Sequence, residues 1–244
     1  MKLIGDYHTH TIYSHGRNTI EENVVRAIEI GLKEIAICDH GPGHLGFGIK
    51  KKKITEMRDE VDRLNDKYPD IKILLGMECN ILGRDGKIDI DDFTLPHLDI
   101  VLAGYHFGSM PDKLIRDSKI HLYNYLSKKN KYYYHKVKEM NTDAFVNAIK
   151  KYDIDLITHP GAKGPIFYEE VAQIAASRNT ALEINNSHGH LTVEGIKKTM
   201  KYDINYYINS DAHHISDIGK FSKSLKRAKE AGLDLSKIVN LSQE

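Results

Sequence analysis

Seven short, largely apolar segments recur along the chain, and this recurrence constrains the fold more than any other feature of the sequence. Helix-like stretches separate most of them, and strands that alternate with helices form parallel sheets. Segments such as 100–103 are apolar without a break, which indicates strands buried on both faces. The strand-like segments are 3–10, 34–41, 71–78, 99–106, 154–161, 181–186 and 205–213.

Local patterns place the helices between these strands. Thr19 and Glu22 form a predicted capping box, and the helix that they open should stop at Gly31. A charged amphipathic helix is predicted over about 50–68. Residues 107–141 are polar and rich in tyrosine and lysine, and we predict an inserted, mostly irregular segment with one helix near 119–126.

Polar residues gather where almost every predicted strand ends, and a (β/α) barrel places its active site at that end of its strands. A doubly wound open sheet is the alternative, but no Gly-x-Gly-x-x-Gly follows the first strand. We therefore predict an α/β fold, a single domain over residues 1–244 that forms an irregular seven-stranded TIM-like barrel. Its site should lie at the C-terminal ends of the strands.

Seven histidines and two carboxylates lie at or just beyond the strand ends. Residues two apart on a strand face the same side, so His8 and His10 should project together, with Asp6 in line behind them. The set is too large for one ion and suits two or three divalent cations, zinc first and manganese or iron next. Asp6 and Asp39 are expected to orient imidazoles. The nine predicted metal ligands are His8, His10, His15, His40, Glu78, His106, His159, Asp211 and His213.

Charge indicates the substrate class. Three divalent ions and two carboxylates give a formal charge of about +4, which favours dianions such as phosphate monoesters. Water held between two metals can lose its proton near neutral pH, and this metal-activated hydroxide can attack phosphorus without a serine or cysteine nucleophile. We assign catalytic roles to Glu78, Asp211 and His213.

The ordered motifs resemble those of the PHP (polymerase and histidinol phosphatase) family, especially its bacterial trinuclear-zinc phosphatases, over nearly the whole chain. The resemblance implies a distorted (β/α)7 barrel and makes histidinol phosphate a candidate substrate. It also implies three zinc ions, held by His8, His10, Glu78 and Asp211, by Glu78, His106 and His159, and by His15, His40 and His213. The motifs are His8-x-His10, Ser14-His15-Gly16, Asp39-His40-Gly41, Gly76-Met77-Glu78-Cys79-Asn80-Ile81, Ala103-Gly104-Tyr105-His106, Thr158-His159-Pro160-Gly161, Leu182-Glu183-Ile184-Asn185-Asn186 and Ser210-Asp211-Ala212-His213.

Two further residues are predicted to bind substrate. Arg17 follows the His15-Gly16 turn and could contact a phosphate bidentately, although a solvated loop arginine is an equal alternative. Asn185 could line the pocket or form a turn. Among the other histidines, His135 and His188 lie near predicted strand ends, and the rest are expected to be at the surface or in local hydrogen bonds. These are His44, His97, His121, His190 and His214.

Composition argues against several other classes of protein. A formal net charge of +1 argues against a dedicated nucleic-acid or membrane-surface protein. No segment is long enough to span a membrane, no signal peptide is evident, and Cys38 and Cys79 indicate no disulfide framework, so we predict a cytoplasmic protein. Both cysteines are expected in the core. The basic and aromatic stretch 128–136 could stack bases or form a lid, and we favour a lid that gates the metal site.

The sequence therefore predicts a metal-dependent phosphoric monoester hydrolase that acts on small phosphorylated metabolites. The enzymatic alternative is a 3′–5′ exonuclease or phosphodiesterase, since the same metals can cleave diesters. The alternative from another class is a non-catalytic metal-binding interaction domain.

Overall fold

Seven parallel strands follow one another through a single curled sheet in the order of the chain, which confirms the predicted α/β barrel architecture. The computed structural model describes residues 1–242, apart from the side chains of 114–116. The strands are β1 (Gly5–Thr9), β2 (Glu34–Ile37), β3 (Lys72–Asn80), β4 (Ile100–Gly104), β5 (Leu156–Ile157), β6 (Ala181–Glu183) and β7 (Tyr206–Tyr207). The helices are α1 (Ile20–Glu29), α2 (Lys53–Lys67), α3 (Leu114–Ser127), α4 (Lys131–Lys151), α5 (Tyr168–Ser177), α6 (Val193–Thr199) and α7 (Ser222–Ala231).

Short backbone bridges close the gap between β7 and β1. At the carboxyl end of the strands, the amide of His10 donates to the carbonyl of Ala212 over 2.8 Å. At the opposite end, the C-terminal segment lies between the two strands, where Ile4 N–H donates to Asn240 and Val239 N–H donates to Tyr206. The barrel is therefore closed by segments outside the seven strands, which is the sense in which it is distorted.

The strands are buried on both faces, as the apolar segments predicted. A small inner cluster that includes Cys38, Leu102 and Leu156 fills the barrel below its carboxyl end, with Tyr7 packed against it. A much larger cluster lies between the sheet and the helices and contains Cys79. Both cysteines are fully buried, as expected. Because this inner apolar cluster lies below the carboxyl end of the barrel, the carboxyl end itself is left to polar side chains.

An extra residue in β1 corrects one sequence prediction. Asp6 pairs with Ile35 and Thr9 pairs with Ile37, so three steps on β1 match two on β2. Such a bulge reverses the alternation of side chains between the two faces. Asp6 consequently does not stand behind His8. It accepts hydrogen bonds from Ser210 and from the amide of Gly219, and thereby holds the loop after β7.

The first helix follows its sequence signals closely. Thr19 and Glu22 form both hydrogen bonds of a capping box. The helix ends one residue before Ile30, and Gly31 then takes a left-handed φ of 81° that favours glycine. This short helix returns the chain from β1 to β2, and the loop that precedes it carries His15.

The segment 107–141 is more helical than predicted. It contains α3 and the first half of α4, and α4 runs without a break past residue 141. Asn130 caps α4 by accepting a hydrogen bond from the amide of Tyr132. The first turn of α4 is largely exposed and its buried face begins only at Val137, so apolar periodicity could not reveal where the helix starts. Among the described residues, none of the helices combines the length and apolar character that crossing a bilayer requires.

Candidate metal centre

The structure brings all nine predicted metal ligands to the carboxyl end of the barrel. His8 lies in β1 and Glu78 in β3, whereas the others lie in the loops that leave the strands or, for His15, in the turn before α1. Their side chains are buried except for those of His15 and His213, which are partly exposed. Three groups of ligand atoms lie close enough together to hold an ion, and every predicted ligand except His159 belongs to one of them.

Glu78 is the centre of this arrangement. Its Oε1 lies 2.9 Å from Nε2 of His159 and 3.1 Å from Nε2 of His106. These two imidazole nitrogens are 3.3 Å apart. Glu78, His106 and His159 therefore form one compact set of three ligands, which we call the second cluster.

The two histidines of the first strand form a group with two carboxylates, which we call the first cluster. Nε2 of His8 and Nε2 of His10 are 3.2 Å apart. Asp211 Oδ1 lies 3.3 Å from the His10 nitrogen and 3.6 Å from the His8 nitrogen. Glu78 completes the group, with Oε1 3.4 Å from His8 and Oε2 3.6 Å from His10.

Three more imidazoles form the third cluster. His15, His40 and His213 offer ring nitrogens that lie within 4.8 Å of one another and of a nitrogen of His10. His15 stacks on His40 with ring centroids 4.8 Å apart, and its centroid lies 4.0 Å from that of His213. Nδ1 of His40 lies 2.9 Å from Oε2 of Glu78, so Glu78 also borders this cluster.

The donor set fits divalent cations. Ligands about 2.0–2.1 Å from a tetrahedral zinc ion lie about 3.3 Å from one another, and the contacts in the first and second clusters span this value. Several buried atoms that face the clusters also lack a hydrogen-bond partner, among them Glu78 Oε2 and His40 Nδ1. Although 2.9 Å apart, these two atoms are not aligned for a hydrogen bond, and a shared cation would satisfy both.

Opposing charges keep the carboxylates of the site ionised. Burial raises the pKa of Glu78, but the imidazoles of His106, His8 and His40 outweigh it and hold this pKa well below its ordinary value. The pKa of Asp211 is also held well below its ordinary value, because His8 and His10 outweigh the effect of burial. Both oxygen ligands are therefore available to a cation over the physiological pH range.

Burial favours the neutral form of three of the imidazoles, those of His10, His15 and His106. It lowers the pKa of His106 to about 3 and that of His15 to about 4, and it holds the pKa of His10 well below its ordinary value. His8 differs, because Glu183, Glu78 and Asp211 outweigh burial and raise its pKa. A divalent cation beside His8 would take the place of the proton that these carboxylates attract.

Glu183 is a functional residue to which the sequence assigned no role. Its fully buried carboxylate accepts a hydrogen bond from Nδ1 of His8 over 2.8 Å and one from the amide of His159 over 2.6 Å. Asn185 and Asn209 donate to the same carboxylate. Glu183 thus orients ligands of two clusters and leaves Nε2 of His8 free to bind a metal.

A second chain of hydrogen bonds orients His106. Nδ1 of His106 donates to Oδ1 of Asn80 over 2.9 Å, and the side-chain NH₂ of Asn80 donates to the half-buried Asp89 over 2.6 Å. Asp89 also accepts hydrogen bonds from the backbone N–H groups of Asn80 and Gly43. The lone pair of His106 Nε2 is therefore directed at Glu78 and His159.

Asp39 does not orient His40 as the sequence suggested. Its carboxylate accepts hydrogen bonds from the amide and hydroxyl of Thr11 and from the hydroxyl of Ser14. The nearest imidazole contact is a long one, 4.0 Å to Nδ1 of His10. The reason is that Asp39 lies next to the turn after β1, so it fixes the loop that carries His15.

The two predicted substrate-binding residues occupy different surroundings. Arg17 is exposed and does not line the cavity above the clusters. Asn185 is fully buried and uses its amide group on Glu183 and Asp211 and its oxygen on the amides of Ser187 and His188. The geometry of Asn185 suits a positioning role for Asp211.

The clusters form the floor of a cavity of about 220 Å³ whose rim includes residues that the sequence did not single out for the site. Phe47, Phe107 and Lys163 line it. His188 also lines it and approaches Asp211 to 3.5 Å. His44 makes the predicted local hydrogen bonds, since its Nδ1 accepts from the amides of Gly46 and Phe47.

Two of the ligands have a strained backbone. His159 has φ of 27° and Asp211 has φ of 56°, in the left-handed region that side chains other than glycine rarely adopt. Strain of this kind persists where surrounding contacts enforce it, and it concentrates at functional sites. Here the hydrogen bond from the His159 amide to Glu183 is one such contact.

We expect Asn80→Ala to weaken binding of one ion selectively. Removing the acceptor of His106 should lower the affinity of the second cluster about 10- to 100-fold, as is typical when an orienting partner is lost. Calorimetric titration of the metal-free protein with zinc would show one weakened binding step. Asn147→Ala is the control, because Asn147 donates to the carbonyl of Arg84 at the surface, away from the clusters. Equal zinc affinities in the two variants would refute the orienting role.

Comparisons with known proteins agree with this geometry. The PHP domain family matches residues 6–187. A protein of Thermoanaerobacter sp. (strain X514) named "Probable phosphatase" is 33% identical over 98% of this chain and 91% of its own length. A protein of Clostridium botulinum (strain Hall) with the same description is 31% identical, again over 98% of this chain and 91% of its own length.

A solved structure shares the fold. Histidinol phosphate phosphatase from Lactococcus lactis, complexed with zinc, L-histidinol and phosphate, superposes with a TM-score of 0.63. The two chains are 18% identical, and the match covers 96% of this chain and 95% of the other. At this identity the likeness supports the barrel architecture alone.

Proposed function

Because the chain belongs to the PHP domain family, we propose that it is a metal-dependent phosphatase that hydrolyses phosphomonoesters of small metabolites. The observation that carries the proposal is the position of Glu78. One of its oxygens faces the first and second clusters and the other faces the first and third. A carboxylate so placed can bridge several cations, and isolated structural sites have no need of such a ligand.

The proposed cofactors are three divalent ions, zinc first and manganese or iron as alternatives. The first cluster, the second cluster and the third cluster would each hold one, with Glu78 shared among them and Asp211 in the first. Bound there, the ions would neutralise a phosphate group and activate a water molecule for attack on phosphorus. Glu183 and Asn80 fix the ring orientations of His8 and His106. The reaction requires no protein nucleophile.

Charge and size favour a monoester. With Glu183 counted among the ionised carboxylates, because His8 and His159 outweigh burial and lower its pKa, three divalent ions leave a formal charge of about +3. Such a site attracts a monoester dianion more strongly than a diester monoanion. The cavity of about 220 Å³ accommodates a phosphate and a small organic group.

The decisive experiment compares p-nitrophenyl phosphate, bis(p-nitrophenyl) phosphate and a labelled oligonucleotide with the zinc-loaded protein. We expect turnover of the monoester and much slower cleavage of both diesters. Preferential cleavage of the oligonucleotide would identify the protein as an exonuclease instead. A protein that binds zinc at the clusters yet hydrolyses none of the three would be a non-catalytic metal-binding domain.

Chelation should abolish the activity reversibly. Dipicolinate or EDTA treatment is expected to lower phosphatase turnover below detection, because the proposed ions supply the activated water and most of the positive charge that faces the phosphate. Adding zinc to the dialysed protein should restore it, and manganese would show whether a second metal also serves. Turnover that survives with no metal left by elemental analysis would contradict the proposal.

The two free, buried cysteines accord with a reducing compartment, and we keep the cytoplasm as the proposed location.

A further inference from the structure

A second cavity, of about 470 Å³, lies beside the metal site and shares one lining residue with it. We call it the annex. Lys163 lines both cavities. A second connection is made by Lys128 of the annex, whose ammonium lies 4.9 Å from the ring centroid of Phe107, which lines the metal cavity. The annex and the cavity above the clusters are therefore neighbours.

The annex is strongly basic. Four lysines line it and only one carboxylate does, that of Glu169. Glu169 is paired with Lys201 over 3.1 Å, outside the cavity lining. Within the part of the chain that the structure describes, none of the four lysines forms an ion pair with a carboxylate. They are Lys128, Lys138, Lys163 and Lys198.

Buried polar contacts hold the walls of the annex in place. Asn124 of α3 and Asn141 of α4 exchange two amide hydrogen bonds of 2.9 Å, and both side chains are buried. Asn141 also donates to the carbonyl of Pro165 in the loop after β5. In the same loop, a Cβ on Gly164 would lie 2.4 Å from both amide side chains, so the loop approaches the helices closely. The annex is thus a formed cavity between α3, α4 and this loop.

We propose that the annex binds a second phosphate group, so that the substrate is a bisphosphorylated metabolite whose scissile phosphate lies on the metal clusters. The inference rests on the proposed phosphatase function and names its substrate class. Two of the four ammonium groups lie over aromatic rings, Lys128 over Phe107 and Lys138 over Phe167. Since none of the four has a carboxylate partner among the described residues, together they suit a phosphate dianion. They oppose a cationic body such as that of histidinol phosphate, which carries an amine and an imidazole, and they argue against this compound as the preferred substrate.

The test uses a series of α,ω-alkanediol bisphosphates and the matching alkyl monophosphates with the zinc-loaded enzyme. We expect one chain length to be hydrolysed with kcat/KM about 10- to 100-fold above that of its monophosphate, because charge-assisted contacts to the second phosphate add binding. Histidinol phosphate should react no faster than the monophosphates. Bisphosphates that show no advantage at any length, or a preference for histidinol phosphate, would overturn the proposal.

A matched pair of double variants assigns the effect to the annex. Lys138→Met/Lys198→Met removes two of its lysines, whereas Lys136→Met/Lys197→Met removes neighbours on the same helices that do not line it. The first pair should raise KM for the best bisphosphate about 10-fold or more, with kcat and monophosphate turnover nearly unchanged. The control pair should change either value less than about twofold. Equal effects of the two pairs would overturn the assignment.

A binding measurement separates this proposal from the proposed function. Calorimetry with the chelated protein and the same bisphosphate does not depend on catalysis. Weaker binding to Lys138→Met/Lys198→Met than to the control variant would support the annex even if no substrate were hydrolysed. If instead monophosphates are hydrolysed and the bisphosphate binds both variants equally, the phosphatase function stands and the annex proposal fails.

Discussion

Glu78→Gln is expected to lower kcat/KM for p-nitrophenyl phosphate by about 10³-fold or more. Both carboxylate oxygens face metal clusters, and an amide cannot bridge cations because its nitrogen carries no lone pair for them. The loss corresponds to several kcal/mol of transition-state stabilisation, the usual contribution of metal ions to such a reaction. Elemental analysis of the same preparation should show fewer than the full three ions per chain.

The control for this variant is Glu34→Gln. Glu34 begins β2 at the opposite end of the barrel and accepts a hydrogen bond from the hydroxyl of Tyr7. The same chemical change there should leave both activity and metal content within about twofold of the wild-type values, because a polar contact far from the clusters contributes little. If Glu78→Gln kept its metal and more than a tenth of wild-type activity, the bridging role of Glu78 would be wrong.

Glu183→Gln is expected to lower both the free energy of unfolding and the affinity for metal, and its effect on stability should be the largest among the substitutions considered. Four donors point at this carboxylate, from His8, His159, Asn185 and Asn209, and the amide nitrogen of glutamine would face at least one of them as a second donor. Breaking a buried charged network in this way costs about 3–5 kcal/mol. The affinity of the first cluster should fall about 10- to 100-fold, because His8 loses the partner that fixes its ring.

Denaturant unfolding of the chelated proteins measures the free energy of unfolding without any contribution from bound metal. Zinc titration then measures the metal affinity separately. Glu34→Gln again serves as the control, with an expected change of about 1 kcal/mol or less, since glutamine can still accept from Tyr7. A metal-free Glu183→Gln protein as stable as the wild type would show that the network around His8 does not stabilise the fold. Unchanged zinc affinity would show that it does not position the ligand.

Strand-helix alternation allowed the positions of the predicted ligands to be read from sequence, because a parallel barrel brings the carboxyl ends of all its strands to one rim. His8 and Asp211 are far apart along the chain, yet each follows a strand signal that fixes where it must lie. The cap of α1 was equally predictable, since Thr19 and Glu22 contact each other directly.

Features that depend on long-range pairing could not be predicted in this way. The bulge in β1 exists only in the register with β2, so the sequence wrongly placed Asp6 behind His8. The partner of His8 proved to be Glu183, which is 175 residues away. The start of α4 was missed because its first turn has no buried face, and with it the wall of the annex that contains Tyr134 and Lys138.

The central claim is that side chains from all around the barrel hold three divalent ions, and anomalous diffraction at the zinc edge from crystals grown with zinc tests it most directly. We predict three peaks. One should lie among His8, His10, Glu78 and Asp211, one among Glu78, His106 and His159, and one among His15, His40 and His213. Fewer than three peaks in this cavity, or peaks that these side chains do not contact, would contradict the account.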